Sequence, residues 1–431
     1  MIFCKKAGWG MTLLLLCLFF GMGRTQKIEA AVQNAPESRA EESRLDIVGT
    51  DREKQETERA AVREKKEQQE TETGDTEMDQ ATAAQDELLA ELDFDTIQQE
   101  VDSLLSGQEF SFAGTVRSLL QDGDPFRSFR AGNAVFSCAK TAFLAQKGLM
   151  KELFLLVLAG AVLGSFSSLF EGKQVRDASF YMVYLLALAL ILKNFQSSGE
   201  NLKAVITSLV AFMRILTPSY YLAAAAAGGA STAVMFYQML LLVILAVEKL
   251  LLALVLPMIH IYLLIALVND LSGEEILSHM TELLETCVNG LLKSSLGVLV
   301  GMQMIRNLIA PALDSLRQMA LWRTAGMIPG IGNAVNAVTE LVAGSAVLIR
   351  NCFGVTAMLV LLAAGMVPAV QLLVSGLSFR LLAAAAQPVS DKRIAGCLAA
   401  AGKGYAMLLR LLLTVEVLFL LTIAILAGTF S

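Results

Sequence analysis

The glycine-rich stretch from Arg323 to Asn351, RTAGMIPGIGNAVNAVTELVAGSAVLIRN, has the composition of a loop that binds phosphate groups. A Walker loop would end in Gly-Lys-Ser or Gly-Lys-Thr, and no such ending follows Gly330. A dinucleotide-binding loop needs a preceding strand and a third glycine, whose place is taken by Val335. The sequence therefore predicts no bound nucleotide, and Pro329, Gly330 and Gly332 are predicted to break a helix.

A polar stripe follows this predicted helix break. Its members recur every three to four residues on an otherwise apolar helix: Asn333, Asn336, Glu340 and Gly344. A broken helix followed by a polar-striped one can line a water-filled passage through a membrane. The alternative is a loop that leads into an interfacial or bundle-facing helix, and general membrane energetics favour this alternative.

Four further charged residues lie within long apolar runs, where ionisable groups are costly and are candidate functional residues. They are Glu248, Lys249, Arg410 and Glu416. The first two can instead occupy a hairpin turn at the membrane surface. Arg410 and Glu416 are six residues apart, too far for a pair within one helical turn, and Arg410 is long enough to reach the membrane surface.

No pattern of catalytic or metal-binding residues accompanies these charges. The two histidines, His260 and His279, belong to no HExxH motif, and the chain has no GxSxG motif. The six cysteines form no CxxC pair and are typical of small buried side chains. We predict a protein that is not an enzyme, with no catalytic residue, cofactor or metal.

Composition indicates a membrane protein with a distinct N-terminal part. The 431 residues are 55% hydrophobic, with a mean hydropathy of +0.58. Residues 1–26 combine Lys5, Lys6 and a short apolar core, which predicts a signal peptide or, alternatively, an uncleaved anchor. Residues 27–95 are acidic and poor in aromatic side chains, which predicts a disordered spacer. The net charge of −6 averages this spacer with a mildly basic remainder and gives no indication of nucleic-acid binding.

The rest of the chain predicts an all-α, polytopic membrane protein. Residues 96–151 carry amphipathic helices that precede the membrane, and residues 152–431 form a helical transmembrane domain. The predicted spans number seven or eight, because the run from Ala233 to Val268 can cross once or twice. The other six expected spans are Leu153–Phe170, Tyr181–Phe195, Val205–Ala227, the continuation of an amphipathic helix at 272–292, Cys352–Val374 and Tyr405–Gly428.

Three segments in a fixed order carry a family resemblance: QMIRNLIAPALDSL, IPGIGNAVNAVTELVAGSAVLIRNCFGV and LAAAAQPVSDKRI. Together with LTPSYYLAAAAAGGASTAVMF and LVNDLSGEE, they resemble the stage III sporulation protein AE family over residues 97–431. The acidic spacer lies outside the resemblance, and no function is inferred for it.

This resemblance implies a function that spacing alone does not reveal. It implies a multi-pass protein of the mother-cell membrane around the forespore, acting in a secretion-like channel complex as a platform or export-gate-like part. The implied partners are the complex's ATPase, its ring-forming membrane proteins and the forespore-side channel protein, in addition to the lipid bilayer. The predicted signal would place the N-terminal segment outside the cytoplasm. A secondary transporter that uses the segment around Glu340 is the alternative function.

Overall fold

The computed structural model describes residues 89, 93–105, 110–122, 131–167, 173–226, 241–242, 244–272, 277–325, 332–388 and 390–428, with side chains in a smaller set. All belong to the compact unit Gly74–Ser431. Across these ranges the chain forms helices and short turns without a strand, which confirms the predicted all-α class. The predicted signal peptide and nearly all of the acidic spacer lie outside the described residues.

Two short amphipathic helices precede the long ones, as predicted: α1 (Phe94–Leu104) and α2 (Phe112–Asp122). Asp93 caps α1, since its carboxylate accepts hydrogen bonds from the Thr96 hydroxyl at 2.7 Å and the Thr96 amide at 3.1 Å. These bonds lower the pKa of Asp93, and the bond from the Thr96 hydroxyl contributes most. At pH values above the usual aspartate pKa, the ionised Asp93 therefore stabilises α1. This stabilisation is lost as the pH falls through the lowered pKa of Asp93 in the folded protein.

The two short helices are joined to each other by the Gln98 side chain and to the bundle by aromatic rings. Gln98 donates to the Phe110 carbonyl at 2.7 Å and accepts from the Phe112 amide at 2.8 Å. The Phe112 ring lies edge-on to Phe353, with centroids 5.0 Å apart, and Phe94 lies beside both rings. The predicted pre-membrane segment is thus packed on a long helix.

Six long helical segments follow: α3 (Ala131–Ser167), α4 (Lys173–Ala226), α5 (Ile244–Ser272), α6 (Ser278–Ala325), α7 (Gly332–Ala386) and α8 (Lys392–Gly428). Five described stretches are long and apolar enough to cross a membrane. They are Phe180–Pro218, Ile244–Ser272, Ser278–Met302, Gly344–Ala386 and Lys392–Ala424. Helix α4 alone is roughly 81 Å long at 1.5 Å per residue, far more than a hydrocarbon core of about 30 Å.

Several predicted boundaries are wrong because helices continue where an interruption was expected. The predicted span Tyr181–Phe195 and residues 205–226 of the next one belong to the single helix α4, whose polar middle remains helical. No hairpin turn separates two spans at Glu248 and Lys249, which lie inside α5 just before a π-helical stretch, Leu251–Val255. Residues 151 and 152 lie inside α3, and α7 continues to Ala386.

The connection between α5 and α6 begins and ends with hydrogen bonds to Asn269. Ser272 is the last residue of α5, and its hydroxyl donates to the Asn269 carbonyl at 2.8 Å. The Asn269 side chain accepts a hydrogen bond from the Leu277 amide at 2.8 Å, one residue before α6 begins. The amphipathic run does continue into the following apolar run without a break, as predicted.

Helices α7 and α8 form the most extensive helix pair of the bundle. Their backbones approach closely because two glycines face the contact: a Cβ at Gly376 would lie 3.2 Å from the Tyr405 Cβ, and one at Gly402 would lie 3.3 Å from the Gly376 carbonyl oxygen. Small residues at such positions allow transmembrane helices to pack. At the start of α8, the Arg393 guanidinium lies 5.5 Å from the centroid of the Phe180 ring in α4.

Candidate functional site

A polar cluster lies at the centre of three candidate spans, where α4, α5 and α8 meet. We call it the central polar cluster, and it consists of Asn194, Ser198, His260 and Tyr405. These residues lie near the midpoints of Phe180–Pro218, Ile244–Ser272 and Lys392–Ala424. At that position polar groups must be satisfied within the protein, because hydrocarbon supplies no hydrogen bonds.

The Tyr405 hydroxyl organises the cluster. Asn194 Nδ2 donates to it at 2.7 Å, and Ser198 Oγ lies 3.2 Å away. Because Ser198 donates its own proton to the Asn194 carbonyl at 2.9 Å, the tyrosine hydroxyl can donate to Ser198. The Tyr405 ring is fully buried, stacks on Phe379 and lies edge-on to Phe195, with both centroids 5.2 Å away.

His260 joins the cluster through Phe195, whose ring is edge-on at a centroid distance of 5.3 Å. Its Nδ1 lies 2.9 Å from the Leu256 carbonyl oxygen, which only accepts, so Nδ1 carries a proton. The ring lies so close to Gly199 that a Cβ there would clash with Nε2 and Cε1. Gly199 therefore provides the space that the imidazole occupies.

A cavity of about 380 Å³ opens beside His260, between α4 and α5. Its polar lining comes from His260 and from one face of α4, where Gln196 Nε2 donates to Glu200 Oε1 at 3.2 Å. Lys203 lies one turn further along, and both charged side chains are exposed. Apolar walls complete the cavity: Leu192, Phe195, Leu256 and Leu264.

The four charged residues predicted at membrane depth are described, and the structure does not bring them together. Arg410 Nη1 donates to Asn289 Oδ1 at 3.0 Å, and its side chain is exposed. Glu248 is half-buried and interacts electrostatically with the positive charges of Arg214 and Lys249. No ion pair between Arg410 and Glu416 is present, in agreement with their spacing along the helix.

Glu416 is the most buried acidic residue among those whose side chains the structure describes, being 6% exposed. Its carboxyl lies directly against Gly365 of α7, in the space that a Cβ at that position would occupy. Gly365 is three residues before Pro368, which lies inside α7.

The predicted helix break and polar stripe stay predictions. Pro329 and Gly330 lie outside the described residues, and the structure describes no side chain for Asn333, Asn336 or Glu340. Helix α6 ends at Ala325, and α7 begins at Gly332. Gly344 is exposed, with no described atom within 4 Å of a Cβ placed there.

The described side chains contain no group of three or more His, Cys, Asp or Glu residues that could hold a metal ion. Cys287, Cys352 and Cys397 are free thiols. The hydrogen-bonding groups of the central polar cluster contact one another and the backbone, and this arrangement favours a structural role over a catalytic one.

We expect Tyr405→Phe to reduce the stability of the bundle by about 1–3 kcal/mol, because it leaves the Asn194 amide without its acceptor. The measurement is thermal unfolding of the purified full-length protein in detergent, followed by circular dichroism. Tyr181→Phe is the matched control, since this tyrosine of α4 is 46% exposed, and it should change little. Equal effects of the two substitutions would contradict the proposed role of the Tyr405 hydroxyl.

Comparison with known proteins gives a consistent result. The family model described as stage III sporulation protein AE matches residues 110–429. The stage III sporulation protein AE of Bacillus subtilis (strain 168) is 22% identical over 301 residues, which cover 69% of this chain and 75% of that protein. No solved structure matches this chain. Because the family match covers the whole helical bundle from α3 to α8, the chain belongs to the stage III sporulation protein AE family.

Proposed function

We propose that this protein is a non-enzymatic, integral-membrane component of the mother cell–forespore channel complex, a secretion-like assembly required for sporulation. In it the protein acts as a membrane platform or an export-gate-like part. The observation that carries this proposal is the family match over residues 110–429, which implies a role in sporulation. The helical membrane bundle is the part of the chain that the family shares.

The open cavity between α4 and α5 supports a role within a larger assembly. Glu200 and Lys203 are exposed near the midpoint of a candidate span. Charged side chains within a membrane face a bundle interior or a water-filled cavity, because exposure to lipid is costly. A neighbouring subunit or water within an assembly would provide that environment for both side chains.

The described chemistry supports a non-enzymatic role. Among the described residues, Tyr405 and His260 make their hydrogen bonds to Asn194, Ser198 and a backbone carbonyl, and these contacts join or brace helices. The free cysteines are separate from them in the chain and form no motif. Helix packing is therefore the property on which the proposed function rests.

The proposal also assigns a location and partners. The protein lies in the mother-cell membrane around the forespore, with its N-terminal segment outside the cytoplasm. Its partners are the ATPase of the complex, the ring-forming membrane proteins and the forespore-side channel protein.

Purification of the full-length, tagged protein from sporulating cells in mild detergent tests this proposal. We expect it to elute as an assembly much larger than a 46.3 kDa chain in detergent, together with the ATPase and the ring-forming proteins. A chain that elutes alone under conditions that keep other membrane complexes intact would contradict the proposal. Ion-coupled flux by the isolated protein in vesicles, lost in Glu340→Gln, would support the transporter instead.

A further inference from the structure

The environment of Glu416 distinguishes it from the other charged residues of the bundle. The side chain lies within the candidate span Lys392–Ala424, and its carboxyl fills the space left by Gly365 on α7. A charged carboxylate in such an environment needs a cation or several hydrogen-bond donors. Without them, the group becomes neutral by binding a proton.

The described surroundings provide no such cation or donor. No described residue makes a hydrogen bond or an ion pair with the Glu416 carboxyl. The nearest hydroxyls on α8, those of Thr414 and Thr422, donate to their own helix at the carbonyls of Arg410 and Leu418, at 2.8 and 2.7 Å. Their protons are therefore directed away from the carboxyl.

Charged groups on the neighbouring helices are also directed elsewhere. Residues 351–379 of α7 include no charged side chain, and Glu416 is the only charge in residues 411–431. From α5, Glu248 borders a small cavity of about 10 Å³ next to Val415 and Phe419, and it interacts with Arg214 and Lys249. On α6, the Asn289 side chain accepts a hydrogen bond from the Arg410 guanidinium.

The neutral acid, in contrast, needs only one acceptor. Proline has no amide hydrogen, so Pro368 leaves the carbonyl of Ala364, four residues earlier, without its helical partner. Ala364 immediately precedes Gly365, against which the carboxyl lies. A backbone carbonyl without its helical partner is the acceptor that a protonated carboxyl needs and that a carboxylate cannot use.

We propose that Glu416 is a proton-binding site within the membrane, with its carboxyl held as the neutral acid between α7 and α8 at Gly365. Its ligand is a single proton. Loss of the proton would leave a bare carboxylate in the most extensive helix contact of the bundle, so that deprotonation would open this contact. The site depends on the packing of α7 on α8 and is independent of the proposed role in a channel complex.

Infrared spectroscopy of the full-length protein in lipid nanodiscs tests this proposal. At pH 7 we expect the wild-type spectrum to contain the C=O stretch of a protonated carboxyl, and we expect Glu416→Gln to lose it. Glu248→Gln, the matched control on α5, should keep that band. A Glu416→Gln difference spectrum that shows only the loss of ionised carboxylate bands would overturn the proposal.

A second pair of variants keeps the test valid if Glu416→Gln folds poorly. Gly365→Ala places a methyl group where the carboxyl lies, so the protonated-carboxyl band should shift in frequency or be lost. Gly297→Ala, at a helical glycine with open space around it, should leave the band unchanged. An unchanged band in Gly365→Ala would contradict the location of the proton at this site.

Discussion

Replacing Gly402 with leucine should destabilise the bundle more than any other single substitution at a glycine of α8. A Cβ at this position would lie 2.8 Å from the Cγ of Arg380 and 3.3 Å from the carbonyl oxygen of Gly376. The second atom belongs to a helix backbone, so relief requires separation of α7 and α8. Overpacking of this kind costs about 1–3 kcal/mol, and a leucine against a backbone belongs at the upper end of that range.

The measurement is the amount of full-length protein in the membrane fraction together with its thermal unfolding in detergent. Gly297→Leu is the matched control, because no atom lies within 4 Å of a Cβ at that helical position. We expect near wild-type amounts of the control and a large loss of Gly402→Leu. Equal stability of the two variants would contradict the close approach of α7 and α8.

Glu416→Lys is expected to have the second large effect. The carboxyl it replaces is 6% exposed and lies against Gly365, where a longer ammonium group has no room and no described carboxylate partner. An uncompensated charge in the interior costs several kcal/mol after relaxation. We therefore expect a loss of about 3 kcal/mol or more in the free energy of unfolding.

Glu416→Gln separates the effect of charge from the effect of shape. Glutamine is nearly isosteric with the protonated acid, and we expect it to cost less than about 1.5 kcal/mol in the same unfolding measurement. A glutamine variant as unstable as the lysine variant would show that Glu416 is held as an anion by donors near α8.

The fold class was predictable from the sequence because hydropathy and helical spacing are local properties. The amphipathic pattern of Ile97 and Val101 predicted α1, and both side chains are fully buried. The apolar runs from Leu153 onwards predicted a helical bundle, and the three motif segments predicted the family.

The helix boundaries were less predictable, because a polar stretch between apolar runs can be a loop or the middle of a helix. The stretch between the predicted spans Tyr181–Phe195 and Val205–Ala227 was expected to connect them, but it stays helical. Asn194 and Ser198 of this helix hydrogen-bond to the distant Tyr405. Likewise, a pair of opposite charges at Glu248 and Lys249 resembles a turn, yet no glycine or proline interrupts the helix at that point.

The central polar cluster was not predicted. Tyr405 is 211 residues from Asn194 and 207 from Ser198, so no spacing rule connects them. One local signal was available: a tyrosine and an asparagine within apolar runs must find hydrogen-bond partners if they are buried. For Glu416, the sequence predicted a charge at membrane depth, whereas its position against Gly365 depends on the packing of two helices.

Deletion of the gene in its sporulating host tests the central claim most directly, with vegetative growth and heat-resistant spore yield scored in the same strain. The proposed channel-complex role predicts normal growth and a loss of heat-resistant spores by orders of magnitude, with development failing after engulfment. A copy of the wild-type gene should restore the yield, and a Gly402→Leu copy should not. Normal spore yield combined with a nutrient-dependent growth defect would contradict the account and favour the transporter.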